Sequence, residues 1–320
     1  MAQKESLLKK GNKSSLIAAI VNTIIAIVKG IAYFMTGNVA MFAETMHSLG
    51  DAANQFFVYI GSALSKKMPT DRYPNGFGRL VNLVLLGAVL IVGIMSYETI
   101  KEGIKHIIHP IESSGIVINL SVLGVGAALE SYVLFKAMKE ILHDTHTEAK
   151  GFEILIKSFA KLSSAKPATK LVFMEDFVAT LGGVIAIIGI LISYFLGFHA
   201  AEGIASVMIG LMMFYVVGKV FLDNAKGVLG EADDALEEEI GNFIITYPEI
   251  KDIQTMYAVK EGEDFHIEMK LEINPVLTVR EATRIKDEIE AKIYDAFKGV
   301  TDVIIEFVVD DGVMNWGNNK

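Results

Sequence analysis

His47 and Asp51 stand four residues apart in the stretch Ala43-Glu44-Thr45-Met46-His47-Ser48-Leu49-Gly50-Asp51, inside a long apolar run. That spacing puts both side chains on one helical face. An imidazole beside a carboxylate is a donor set that a transition-metal ion such as zinc takes. Ionisable groups at hydrocarbon depth mark ion or proton pathways. Asn54 continues the stripe by one turn. A second acidic feature, Glu175-Asp176, opens another long apolar run, with Thr180 four residues after the aspartate. Two helices that each present inward ligands close a tetrahedral site, the usual zinc geometry. Asn22, in the first apolar run, is placed to orient a ligand by hydrogen bonding. Glu130, midway along the fourth run, either joins a proton path or bonds a neighbouring helix. The chemistry expected is the passage of a metal ion. No phosphate-cradling glycine loop and no zinc-hydrolase motif is found, so neither an enzyme nor an organic cofactor is expected.

These residues need elements to hold them. The 320 residues are 52% hydrophobic with a mean hydropathy of +0.43, too apolar for an ordinary soluble protein. Six segments reach spanning length: Leu16–Thr36, Val39–Leu64, Leu80–Ile100, Gly115–Met138, Leu171–Leu196 and Gly203–Leu222. Lysines and arginines gather in the N-terminal tail and in the loops after the second and fourth segments (Lys66, Lys67, Arg72 and Arg79 in the first of these). The connections Gly37-Asn38 and 197–202 hold none. The positive-inside rule then places both termini in the cytoplasm. Residues 1–13 lack the apolar core and cleavage site of a secretory signal, so the first segment is expected to be a retained membrane helix. With no cysteine, thiolate metal sites and disulfides are excluded.

Charge divides the chain. From residue 231 onward there are 22 acidic and 9 basic residues, against a net of +4 before it. An acidic tail domain offers nothing to nucleic acid. The expected organisation is a six-helix membrane domain over 1–230, an α+β domain over 231–311 and a tail over 312–320. Within the first, 143–170 is a longer cytoplasmic connection. There, Phe152, Ile154, Leu155, Ile156, Phe159 and Leu162 alternate with lysines, as in a helix lying on the membrane or packed on the soluble domain. Beyond 230 the order reads αββαβ, ferredoxin-like: a helix over Asp234–Tyr247, strands over Ile253–Val259 and Phe265–Ile273, a helix over Val279–Phe297 and a strand over Val303–Val309. The overall class is an α-helical membrane protein with a small α+β appendage, whose exposed sheet face or edge would favour dimerisation. Lys29 reads as snorkelling to the interface. His106 with His109, and His143 with His146, read as solvated helix ends, His266 as a surface or half-buried strand residue, and Met208, Met212 and Met213 as packing or lipid-facing.

The chain resembles the cation diffusion facilitators over nearly its whole length. The likeness is carried by Lys29 with Thr36-Gly37-Asn38, by residues 43–51, by Arg72-Tyr73-Pro74-Asn75-Gly76-Phe77-Gly78-Arg79, by Glu175-Asp176-Phe177-Val178-Ala179-Thr180-Leu181-Gly182, and by Asn274-Pro275-Val276-Leu277-Thr278-Val279-Arg280-Glu281-Ala282. The resemblance implies a homodimeric membrane exporter of divalent metal, usually zinc, driven by counter-flow of protons. It also implies a ligand pair from the second helix, matched by His47 and Asp51, and a pair from the fifth. Asp176 matches one member of the fifth-helix pair. The other position is Val172 here, and Glu175 is the candidate substitute; the chain looks like a branch carrying this Glu-Asp pair. More oxygen donors shift preference toward harder ions, so manganese stands beside zinc. The family's accessory histidines are replaced by Tyr73 and Phe77 in one loop, where Asp71 remains, and by Thr283 and Glu306 in the soluble domain. Two other readings stay open: a transport-deficient membrane scaffold or regulator with the same fold, and a carrier of small organic cations.

Overall fold

The computed structural model describes residues 7–162, 167–262 and 264–317. After a short 3-10 turn (Leu7–Lys10), the chain forms α1 (Lys13–Thr36), α2 (Val39–Ser65), α3 (Leu80–Ile108), α4 (Ile116–Asp144), α5 (Glu153–Lys161), α6 (Pro167–Leu196), α7 (Ala200–Leu229) and α8 (Asp234–Ile244). It continues through β1 (Ile250–Glu261), β2 (Asp264–Ile273), α9 (Val279–Ala296) and β3 (Val300–Val309). Two compact units result among the described residues: those within 12–59 and 85–223, and those within 7–11, 60–84 and 224–317.

In the helical unit the boundaries have local causes. Asn12 caps α1 by accepting from the Ser14 and Ser15 N–H groups. Gly37 ends it at φ 67°, returning its N–H to the Tyr33 carbonyl, and Asn38 starts α2 by accepting from Met41 N at 2.9 Å. Glycine is suited to position 37 because the left-handed conformation costs it nothing. Among the described residues, five helices are long and apolar enough to cross a membrane: Lys13–Thr36, Leu80–Ile108, Ile116–His143, Val172–Leu196 and Ala200–Leu229. The chain is an integral membrane protein. At 27 residues α2 has the length but is not among the five; Glu44, His47, Asp51, Asn54 and Gln55 dilute its apolarity.

Small residues bring these helices together. A Cβ on Gly103 of α3 would meet the Gly203 carbonyl at 2.8 Å, and one on Gly203 of α7 would meet the Gly103 carbonyl at 2.7 Å. Ser206 donates to the Thr99 carbonyl at 3.0 Å along the same seam. The helical core centres on Met41, Leu123, Ile190, Ile209 and Met213. The amphipathic α5 is formed as expected, but it packs on α4 and α6: Ile154 is buried with Ile141 and Phe173, and the Phe159 ring meets Phe173 and Phe177 edge-on at 5.1 and 5.3 Å. Phe152 and Ile156 stay exposed.

The second unit holds a three-stranded sheet in the order β1-β2-β3, with β1 antiparallel and β3 parallel to β2. α8 packs on β1 and α9 on β3. Their apolar faces close a core of Ile240, Ile253, Ile267, Met269, Leu271, Ile289 and Ile293. This αββαβ order is the one expected from periodicity, with strands and helix ends shifted by a few residues. α9 opens with a capping box: Thr278 accepts from Glu281 N and Glu281 returns to Thr278 N. Those bonds hold the Glu281 carboxyl below the usual carboxylate range. The box is therefore intact above the ordinary carboxylate pKa and is lost only as pH falls through the lowered one. Thr278→Ala is expected to cost this domain about 1 kcal/mol. Denaturant unfolding followed by fluorescence of Trp316, the only tryptophan and packed on this core, measures it.

Candidate metal-transport site

The side chains picked out on α2 line one cavity in the helical unit. His47, Asp51 and Asn54 contribute from α2 and Glu175 from α6, against walls of Val89, Val92, Val178, Met213, Val216, Val217 and Val220. The α2 residues are in register because four residues is close to one helical turn. Gly50 lets α2 approach α3, since a Cβ there would stand 3.1 Å from Val92. His47 Nε2 lies 3.5 Å from Asp51 Oδ2 and makes no hydrogen bond. The histidine is buried, whereas the Asp51 side chain is 47% exposed to the cavity. Glu175 and Asp176 both lie within electrostatic reach of Asp51.

The donors are gathered but not closed. Among the described residues, no three His, Asp or Glu groups stand in a geometry that would hold a metal ion. Asp176 is not among the cavity-lining residues; its Oδ2 and the Thr180 Oγ1 are buried without hydrogen-bond partners. Val172 is 51% exposed. Of the two α6 acids, Glu175 lines the cavity with the α2 pair, and Val172 is not among its lining residues. Asn22 is half-buried on α1 and does not line the cavity.

Lys29 corrects the sequence reading. It does not snorkel: it is 1% exposed, with Nζ 2.8 Å from Glu44 Oε2 and 3.2 Å from Glu130 Oε1. An ammonium this deep is held by carboxylates because desolvation alone would expel it. Glu130 accordingly bonds a neighbouring helix, α1. Neither acid is close to Lys29 in sequence, and nothing in the residue pattern announced the pairing.

His106 is a second correction. It is buried, not solvated, at 8% exposure. Its Nε2 lies 3.2 Å from the His199 carbonyl oxygen and 3.9 Å from Glu202. Glu202 accepts from Ser113 at 2.7 Å, and Ser113 from Asn38 at 3.1 Å. His109 is exposed.

The accessory positions carry no imidazole. Tyr73 and Phe77 pack on each other at 5.1 Å, Thr283 bonds back to the Val279 carbonyl, and Glu306 pairs with Lys270 at 3.1 Å. His266 is partly buried, 2.8 Å from Asp302.

Residues 15–229 match the family model described as the cation efflux transmembrane domain, and residues 232–307 match that of the cation efflux protein, cytoplasmic domain. The mitochondrial proton-coupled zinc antiporter SLC30A9 of Mus musculus is 24% identical over 234 residues, 70% of this chain and 39% of that protein. This chain thus spans about two fifths of the length of that relative. A probable cation efflux system protein of Mycobacterium tuberculosis is 24% identical over 310 residues, covering 92% of this chain and 82% of its own length. The cation-efflux pump FieF of Cronobacter sakazakii is 22% identical over 295 residues, covering 92% and 91%. With both parts of the chain matched in order, and apolar helices surrounding an imidazole–carboxylate cavity, the chain belongs to the cation efflux (cation diffusion facilitator) family.

Proposed function

We propose that this protein transports a divalent metal cation across a membrane, with zinc as substrate and protons moving the opposite way. The observation that carries the reading is the convergence of His47, Asp51 and Glu175 on one cavity walled by valines. In such surroundings an uncompensated carboxylate is costly, and a divalent cation or protons offset that cost. Metal takes the ligands deprotonated, so loading releases protons and protonation releases metal. The same groups thereby couple the two fluxes. Asn54 lies on the cavity wall as a polar neighbour of the ligands, and Thr180, whose buried hydroxyl has no hydrogen-bond partner, is a candidate for the proton route.

Relatives described as a zinc antiporter and as cation-efflux pumps support this direction of reading. Loop charge supports termini in the cytoplasm, and the relatives described as cation-efflux pumps support export from it. The α+β domain is proposed to pair two copies into a homodimer, and residues 231–311 to form that module, following in sequence a membrane domain that ends near 230. One imidazole against as many as three carboxylates favours manganese as the second substrate reading.

The experiment is metal titration of the purified full-length protein with zinc and with manganese. Glu175→Gln is expected to weaken binding at least tenfold, while Val172→Ala changes it less than twofold. The reverse ranking would move the α6 ligand away from Glu175. A protein that binds metal but moves none in proteoliposomes would be the scaffold, and one that ignores metal altogether would be an organic-cation carrier.

A further inference from the structure

Lys29, Glu44 and Glu130 lie on one side of the cavity. Glu44 precedes His47 by three residues on α2, about 4.5 Å of rise toward the Asn38 end. The acids press on α6 at Gly182 and Gly183, six and seven residues beyond Asp176 toward the Leu196 end, roughly 10 Å along the axis. A Cβ on Gly182 would sit 2.9 Å from Glu44 Oε1, and one on Gly183 would sit 3.3 Å from Glu130 Oε2. Gly126 of α4 makes room for the lysine, its Cβ position being 3.4 Å from Lys29 Cε. The cluster therefore stands between the proposed ligands and the end where α1 meets α2 and α6 meets α7.

Its hydrogen bonding is incomplete in a definite way. Each carboxylate gives one oxygen to the ammonium, and the other oxygens, Glu44 Oε1 and Glu130 Oε2, are buried with no partner. Both unpartnered oxygens face α6, the helix that carries Glu175 and Asp176. The Glu44 side chain is 1% exposed, so water does not satisfy it from bulk. Two carboxylates match the charge of one divalent cation, and one ammonium leaves them a charge short. Oxygen donors of this kind suit a hard divalent ion.

We propose that Glu44 and Glu130 form a second stop for the transported cation, and that Lys29 is a tethered cation that fills this stop when no ion is there. A cation leaving the His47–Asp51 cluster engages the free oxygens and displaces the ammonium. Return of the ammonium then displaces the cation toward the Asn38 end. This rests on the cavity being the transport site, and the two ideas fail separately: unchanged binding in His47→Ala ends the first, whereas the lysine variants address only the second.

The test counts bound Mn²⁺ on the full-length protein by electron paramagnetic resonance of the free ion, alongside flux in proteoliposomes. Lys29→Met is expected to take up one more Mn²⁺ per chain than the unaltered protein and to lose at least tenfold in flux. Lys29→Met with Glu44→Gln should return to the original count. Lys29→Arg, which keeps the charge, should hold that count and recover flux to within threefold. An unchanged count in monodisperse Lys29→Met protein overturns the proposal, as does an extra ion that survives Glu44→Gln. Should Lys29→Met not fold, Glu44→Gln alone decides: flux down at least tenfold with an unaltered count upholds the second stop, and flux within twofold rejects it.

Discussion

Replacing Asp51 with alanine reduces metal-dependent flux in proteoliposomes at least a hundredfold, and His47→Ala does nearly the same. Both side chains line the cavity on one turn of α2, 3.5 Å apart. Removing either takes away a donor and leaves the other ionisable group in apolar surroundings without its neighbour. Removing a group that only orients a metal ligand already costs about 10–100-fold, so loss of a ligand itself is expected to cost at least the upper figure. Asp51→Asn should be nearly as damaging, because the amide keeps the shape but loses the charge that balances a divalent ion. Flux within threefold of the unaltered protein for Asp51→Ala would remove α2 from the ion path.

A comparable loss, of a different kind, is expected at the α3–α7 seam. Gly103 and Gly203 each stand where a Cβ would come within 2.9 Å of the other helix's backbone. Backbone cannot yield as a flexible side chain does. Gly203→Leu must therefore push α7 away from α3, breaking the Ser206 bond to the Thr99 carbonyl. Overpacking of this sort costs about 1–3 kcal/mol, occasionally more, and here it falls on a contact made by two glycines. The expected outcome is a large drop in the thermal midpoint and loss of monodispersity in detergent, with flux lost as a consequence. Gly218→Leu is the control, since nothing lies within 4 Å of a Cβ there, and it should unfold at the original temperature. Equal behaviour of the two variants would contradict the seam.

Much of this architecture can be read from residue order, and the limits are physical. Helices sustained by long apolar runs were legible, and so was the αββαβ pattern, because period-two and period-3.6 signals are local. Helix ends were less so: α3 extends to Ile108 and α7 to Leu229, since a helix leaving a bilayer has no reason to stop where its apolarity does. His47 and Asp51 were legible as a pair because one turn of one helix joins them. The choice between Glu175 and Asp176 was not, because adjacent residues differ by about 100° and only the neighbouring helix tells which one faces the cavity. Lys29 misled for the same reason at longer range. Its partners are 15 and 101 residues away, and a lone lysine near a helix end carries no trace of them. His106 likewise meets the His199 carbonyl 93 residues on.

The most direct measurement is anomalous scattering from crystals of the full-length protein grown with zinc. A peak is expected in the cavity, about 2.0–2.2 Å from His47 Nε2 and from carboxylate oxygens of Asp51 and Glu175, and no such peak in Asp51→Ala. Strong zinc density elsewhere in the helical unit, with this cavity empty at saturating metal, would contradict it.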